Sequence, residues 1–272
     1  MRIYTLAENT AESERFGSAH GLSFYIEANG MKILFDMGPD RLFLENAEKL
    51  GVCPGEADLA VLSHGHNDHG GGLPLFLERN YTAKVYVRRE AFEKHYSGAG
   101  NHYRDISLPE GMDTDRFVFT DTVQKAAEGL TVFSDVTGMR LVPDSNRVLM
   151  KACRGSMCRD DFTHEQSLII EENGKLVLIA GCAHRGILNI QERAEQITGR
   201  PVDVVVSGFH LCIPRTGEPV AESFICELAG LLKKTKAVYY TCHCTGLAAY
   251  EVLKREMGDR IAYLAAGSVL EL

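Results

Sequence analysis

The sequence predicts an α/β fold in which two mixed β-sheets face each other, with helices on the outside. Three observations carry that expectation. Apolar runs of strand length punctuate the 272-residue chain, hairpin-linked strands come first in each half, and strand–helix alternation follows them.

The first half opens with RIYTLAE (2–8), LSFYIEA (22–28), MKILFDM (31–37) and DLAVLSH (58–64). Asn29 and Gly30 separate the second run from the third, and this dipeptide tolerates the positive φ angles of a two-residue hairpin turn. In PDRLFLENAEKLG, Leu42, Leu44, Ala47 and Leu50 recur at helical spacing and Gly51 stops the helix. LPLFLERN reads as a short helix and AKVYVRR as the next strand. From about 96 to 163 the pattern weakens, with glycines, charges and isolated strand pieces (RFVFT, LTVFSDV) in no sustained period. Its apolar content is too thin for an independent core, so it reads as an insertion in a single domain spanning 1–272. Order returns with strands SLIIEEN (167–173) and KLVLIAG (175–181), a helix over 186–199 and strand VDVVVSG (202–208). A helix near 220–234, strand AVYYTCH (237–243), a helix over 247–258 and a last short strand complete the chain.

Composition is ordinary for a globular protein, at 45% hydrophobic and 24% charged, and the net charge of −8 argues against a general nucleic-acid binder. The opening MRIYTLAENT lacks the basic start and apolar run of a signal peptide. No stretch approaches the roughly 20 apolar residues of a membrane span. Eight cysteines without a small-domain framework fit reduced thiols, so a cytoplasmic protein is expected. Neither CHC at 242–244 nor Cys153-x4-Cys158 has structural-zinc spacing, and a Cys153–Cys158 disulfide is the less favoured alternative.

The densest chemistry lies in VLSHGHNDHGGGLP (61–74). His64, His66, Asp68 and His69 form H-x-H-x-D-H directly after a strand. Alternate positions of a turn leaving a strand point into one cavity, so His64 and His66 can ligate one ion while Asp68 and His69 face a second. Imidazole nitrogen and carboxylate oxygen are the ligand set of zinc, iron or manganese in catalytic sites. Gly70, Gly71 and Gly72 allow tight passage into the next helix. A polar loop that gathers these ligands by accident is the plain alternative, and the density of the motif weighs against it.

This motif resembles the signature of the metallo-β-lactamase superfamily. Within it the chain is most similar to the branch named for a dihydropterin–ribofuranosylaminobenzene phosphate synthase. The shared landmarks are HGLSFYIE, ILFDMG, NAEKLG, EQSLII, GCAHRGILN, SGFHL and HCTG. The resemblance implies a four-layer αβ/βα sandwich with a two-metal site at one edge and further ligands at strand ends, here His184 and His243. Many members carry a bridging aspartate; this chain offers Cys182 and His184 in that neighbourhood. His184 is preferred as the ligand, with Cys182 packing beneath the site as a small hydrophobe. Asp36 resembles the family carboxylate that orients a ligand histidine through its free ring nitrogen, its other reading being an Asx turn before Gly38. His210 has three readings: a ligand, a donor to a substrate oxyanion, or a hydrogen-bonded support. His20 could line the cleft, His164 with Glu165 has a weaker claim to it, and His95 and His102 are expected to face solvent.

The expected cofactors are two divalent ions, zinc first, with iron or manganese as alternatives. Such a pair makes hydroxide at neutral pH and withdraws charge from the atom under attack, which favours hydrolysis. Asp68 is a candidate for the catalytic proton as well as for metal. Arg140, Arg147, Lys151, Arg154 and Arg159 fall within twenty residues and suit a phosphate-bearing substrate, Arg154 and Arg159 foremost; solvated surface charge is the alternative. The expected function is a two-metal hydrolase of a small phosphorylated or nucleotide-like molecule. The alternatives are a pterin-transferring synthase that releases pyrophosphate and a non-catalytic metal or redox sensor. The expected partner is that small molecule, with no membrane contact; a homo-oligomer is left open.

Overall fold

The computed structural model describes residues 1–100, 102–153, 155–214 and 216–272. Two sheets of seven strands each form its centre. One runs, edge to edge, through Val269–Glu271, Arg2–Ala7, Ser23–Ala28, Met31–Phe35, Leu59–Val61, Lys84–Val87 and Phe117–Phe119. The other runs through Ile261–Tyr263, Val238–Thr241, Val204–Ser207, Lys175–Ile179, Ser167–Glu172, Leu130–Phe133 and Val123–Ala127. Each sheet is antiparallel where hairpins join its strands and parallel beyond, as the strand–helix alternation requires.

Alternation along the strands sorts the side chains into three cores. Phe24, Ile26, Ile33 and Phe35 point between the sheets, where Leu168, Ile170, Val177 and Ile179 meet them. Their neighbours Tyr25 and Leu34 face outward, onto Phe43 and Ala47 of helix Leu42–Leu50 and Phe76 of helix Leu73–Arg79. On the second sheet Leu176, Leu178 and Val205 face outward onto Ile190, Leu228 and Leu253. Those three residues belong to helices Ile187–Thr198, Glu222–Leu232 and Leu247–Met257. Helix, sheet, sheet and helix therefore stack as four layers, the expected α/β sandwich. The Asn29-Gly30 turn forms with φ 53° and 72°, and pairs Ala28 with Met31.

Within the weakly patterned stretch, Phe117–Phe119 joins the first large sheet, and Val123–Ala127 and Leu130–Phe133 join the second. Leu130 and Val132 lie in the core between the sheets. The flanks of the stretch build a separate four-stranded sheet from Ser156–Arg159, Leu149–Cys153, His95–Ala99 and His102–Asp105. There Cys153 and Cys158 form a disulfide, on paired strands with Cα atoms 5.9 Å apart. The all-reduced expectation is corrected for that pair, because the hairpin register brings the two thiols together; the other six cysteines are free. No helix among the described residues is long and apolar enough to cross a membrane.

Parallel strands end on a common edge, and that edge carries the chemistry. Met31–Phe35 leads to Asp36 and Leu59–Val61 to the H-x-H-x-D-H loop. Lys175–Ile179, Val204–Ser207 and Val238–Thr241 lead to His184, His210 and His243.

Candidate metal centre

Asp36 is fully buried, and its carboxylate sets the proton positions of two rings. Its Oδ1 accepts the Ser63 N–H at 2.7 Å, and its Oδ2 accepts the Ser63 hydroxyl and His69 Nδ1–H, each at 2.7 Å. A carboxylate only accepts, so the hydroxyl proton of Ser63 is committed to it. Ser63 Oγ must then accept from His64 Nδ1–H, 2.8 Å away. His184 Nδ1 lies 2.9 Å from Asn146 Oδ1, while Asn146 Nδ2 donates to the His184 carbonyl and fixes the amide's orientation. His243 Nδ1 lies 2.8 Å from Asn9 Oδ1, an oxygen that also accepts Gly21 N–H. All four rings thus carry a proton on Nδ1 and, in the neutral form that binds metal, turn a bare Nε2 inward.

These bare nitrogens meet in pairs. His64 Nε2 is 3.4 Å from His184 Nε2, and His69 Nε2 is 3.2 Å from His243 Nε2. Two lone pairs facing each other at such distances repel; a cation beside them removes the conflict. His66 completes the first group, its donor atom within 4.8 Å of those of His64 and His184. Asp68 completes the second, with Oδ2 3.4 Å from His243 Nε2 and 3.8 Å from His69 Nε2. The residues present therefore suit metal binding, and all six expected ligand side chains converge.

Burial and the neighbouring imidazoles push His64, His66 and His184 well below the ordinary histidine value. Burial likewise brings His243 and His210 down to about 3. Neutral imidazole is the form that binds metal. His69 differs: burial opposes its charged form, but Asp36 and Asp68 together raise it. Burial would raise the Asp68 carboxyl, yet His69, His20 and His243 hold it well below the usual carboxylate range.

The backbone is bent to aim these groups. Asp36, Phe162, Ala183, His210 and His243 have φ of 56°, 53°, 56°, 49° and 48°, a region that non-glycine residues rarely enter. Strain of this kind clusters where side-chain placement matters more than local stability. Gly181 serves the same end, since a Cβ there would lie 2.3 Å from Ser63 Oγ.

Around the two groups, His20 reaches Asp68 Oδ2 from the solvent side at 3.2 Å. His210 is 3% exposed, its ring centroid is 4.3 Å from that of His184, and neither ring nitrogen has a hydrogen-bond partner among the described residues. That removes the reading of His210 as a hydrogen-bonded support. Cys182 is buried with Sγ 3.2 Å from His69 Nε2. Glu165 is buried and accepts the backbone N–H groups of His184 and Arg185 at 2.6 and 2.9 Å; burial pushes its carboxyl up to about 7.

His95 is a correction. Expected at the surface, it is fully buried, with Nδ1 2.8 Å from Asp160 Oδ2, because its strand pairs with Leu149–Cys153 and folds inward. His102 is exposed. His66, His95, Asp160 and His164 have donor atoms close enough to suggest a third metal group. Hydrogen bonding speaks against it. His164 Nδ1 accepts Gly65 N–H at 2.9 Å, so its proton sits on Nε2 and goes to Asp160 at 3.2 Å. A protonated nitrogen cannot ligate, and Asp160 is instead a carboxylate hub 4.0 Å behind His66 Nε2.

Of the basic residues, Lys151 is paired with Asp161 at 2.8 Å and Glu93 at 3.4 Å. Arg140, Arg147 and Arg159 are exposed, and Arg154 lies outside the described residues. Sequence reading passed over Asn9, Ser63, Asn146 and Asp160. Ser63 adjoins the motif and carried a local signal; Asn9 and Asn146 stand 234 and 38 positions from the rings they orient.

Residues 18–144 match the family model described as the metallo-beta-lactamase superfamily. Over its full length the chain is 27% identical to a protein of Methanocaldococcus jannaschii, covering 96% of it; that protein is named 7,8-dihydropterin-6-methyl-4-(beta-D-ribofuranosyl)-aminobenzene-5'-phosphate synthase. Among solved structures, one described as a metal-dependent hydrolase of the beta-lactamase superfamily is 28% identical, with a TM-score of 0.83 over 100% of this chain and 99% of that one. The Zn(2+)-bound PqqB from Methylobacterium extorquens, 14% identical with a TM-score of 0.58 over all of both chains, shares the fold.

Proposed function

We propose that this chain, a member of the metallo-β-lactamase superfamily, is a two-metal hydrolase that cleaves a phosphoester of a small phosphorylated or nucleotide-like molecule in the cytoplasm. The observation that carries this reading is the convergence of two donor groups with bare nitrogens 3.2 and 3.4 Å apart. His64, His66 and His184 hold one ion; Asp68, His69 and His243 hold the other. When bound, zinc (iron or manganese being the alternatives) polarises the reacting phosphoryl group and activates water at neutral pH.

The chain's own residues divide the remaining work. Asp36, Ser63, Asn9 and Asn146 keep the ring protons on Nδ1 and so fix each ligand's orientation. Asp68, 17% exposed at its side chain and held ionised, accepts the hydrogen bond of the attacking water and orients it as its proton leaves. His210 is neutral with both ring nitrogens unpaired, and donates to a substrate oxygen as negative charge develops there. Arg154 and Arg159 grip the phosphate. Arg159 is exposed on the strand Ser156–Arg159, next in sequence to Asp160, and its guanidinium fork matches phosphate oxygens.

The name of the archaeal relative favours a second reading, a synthase that joins a pterin to an aminobenzene ribose phosphate and releases pyrophosphate. Zinc-loaded protein should be assayed on a panel of phosphomonoesters and phosphodiesters, and separately on a pterin pyrophosphate paired with the ribofuranosylaminobenzene phosphate. Hydrolysis abolished by chelation is expected. Pyrophosphate release that needs both paired substrates would replace the hydrolase reading. Inertness with both ions bound would favour a sensor.

A further inference from the structure

We propose that Glu8 and Glu165 are matched positioning residues, each holding the backbone of one metal-ligating histidine, an inference that rests on the two-metal reading of the site. The observation behind it is one arrangement built twice. At His243, Glu8 Oε1 accepts the backbone N–H at 2.5 Å, Asn9 Oδ1 accepts Nδ1–H at 2.8 Å, and Asn9 Nδ2 donates to the carbonyl at 3.2 Å. At His184, Glu165 Oε1 accepts the backbone N–H at 2.6 Å, Asn146 Oδ1 accepts Nδ1–H at 2.9 Å, and Asn146 Nδ2 donates to the carbonyl at 2.8 Å. One carboxylate and one amide thus grip each histidine at three atoms and leave Nε2 for a cation. The two grips come from unrelated parts of the chain. Glu8 stands 235 positions from His243, and Glu165 stands 19 from His184.

Both histidines lie in turns beyond the ends of parallel strands, where a carboxylate instead of a sheet neighbour takes the backbone N–H. A buried N–H has to be paired. A fixed acceptor on it sets where the side chain leaves the backbone, and the asparagine then sets the rotation of the ring. His243 depends on this hold, since its φ of 48° lies in a region that costs about 1–3 kcal/mol. Both carboxylates are buried, and each also binds a neighbouring donor. The Tyr263 hydroxyl donates to Glu8 Oε1 at 2.6 Å, and the Thr10 N–H and hydroxyl donate to Oε2 at 2.6 Å each. Burial and the Glu8 carboxylate push the Tyr263 phenol up, so it stays a donor. Glu8 therefore ties the turn of His243 to Thr10, next to Asn9, and the backbone grip and the ring grip move as one. Glu165 Oε2 accepts the Arg185 N–H at 2.9 Å, which fixes two successive amides of the His184 turn.

Zinc titration of the full-length, metal-free protein tests this, read from the imidazole nitrogen signals of each ligand ring and so independently of turnover. In Glu8→Gln the amide sets its NH2 against the N–H of His243 or that of Thr10, whichever way it turns. In Glu165→Gln it meets the N–H of His184 or that of Arg185. Glu8→Gln should weaken the ion at Asp68, His69 and His243 about tenfold and leave the ion at His64, His66 and His184 as in the parent. Glu165→Gln should do the reverse. Glu8→Met and Glu165→Met, which have no acceptor oxygen, should show larger losses at the same ion, so that glutamine acts as a partial rescue. Weakening of both ions alike, or parent-like affinity in the glutamine variants, would overturn the paired grips and leave the two-metal reading standing. A parent that takes up fewer than two zinc ions would overturn both.

Discussion

Asp36→Asn is the sharpest single perturbation of the site, because it changes no shape and two proton positions. In the parent, Asp36 Oδ2 accepts from both Ser63 Oγ–H and His69 Nδ1–H, at 2.7 Å each. Asparagine has one acceptor and one donor group. If its oxygen keeps the Ser63 N–H, its NH2 faces Ser63 Oγ and His69 Nδ1. His69 must then accept at Nδ1 and carry its proton on Nε2, the nitrogen that faces His243. Ser63 Oγ is freed to donate to His64 Nδ1, which inverts the second ring as well. Turning the amide the other way sets NH2 against the Ser63 N–H. Loss of such orienting partners weakens metal binding by about 10–100-fold, which is about 1.4–2.7 kcal/mol. The mismatched buried donors cost about 1–3 kcal/mol of stability, enough to lower the melting temperature without abolishing the fold. Competition titration against a chromophoric zinc chelator reads the first effect, and thermal melting of the metal-free protein reads the second. Parent-like zinc affinity in a variant that still melts cooperatively would refute the proton assignment.

Other outcomes follow from the same geometry. In Asp160→Asn the amide oxygen keeps the Phe162 N–H and His164 Nε2–H, while the NH2 faces His95 Nδ1–H and removes its acceptor behind His66. The variant should weaken the ion held by His64, His66 and His184 by about tenfold while sparing the ion at Asp68, His69 and His243; equal weakening of both steps in a zinc titration would contradict this. The folded-state values of His64, His66, His184, His210 and His243 lie below the unfolded histidine value, so the unfolded chain binds more protons below about pH 6.5. Their contribution is fully present above that pH and is lost as pH falls. His69 and Glu165 act in the opposite sense, Glu165 losing its contribution as pH rises towards 7. The five outnumber the two, so the melting temperature of metal-free protein should fall between pH 7 and pH 5; a flat profile would show that the imidazoles are not desolvated as described. Arg159→Ala should raise KM about tenfold on phosphorylated substrates, with no change on a neutral activated ester, since one charge-assisted bond is worth about 1.5–3 kcal/mol. Equal effects on both substrates would make Arg159 a solvated surface charge.

What was legible in the sequence was whatever repeats locally. The Asn29-Gly30 hairpin follows from its turn residues, and the helix that stops at Gly51 from apolar spacing of two to four residues. His64, His66, Asp68 and His69 were legible because one turn carries them all. His184 and His243 needed the added regularity that ligands sit where parallel strands end. The supports were not legible. Asn9 reaches His243 from the opposite end of the chain, and Asn146 reaches His184 from a stretch with no sustained period. His95 was misread for a related reason. Its surroundings are weakly apolar, and only the pairing of its strand with Leu149–Cys153 makes it buried. RFVFT and LTVFSDV looked isolated because each joins a strand far from it in sequence. Phe117–Phe119 pairs with Lys84–Val87, and Leu130–Phe133 pairs with Ser167–Glu172.

The most direct measurement is a crystal structure of zinc-loaded protein with anomalous diffraction recorded on both sides of the zinc edge. Two zinc peaks per chain are expected. One should contact His64, His66 and His184, and the other Asp68, His69 and His243, with His95 and His164 free of metal. A single peak, a peak held by His95 and Asp160, or His184 turned away from the ion would contradict the two-metal centre.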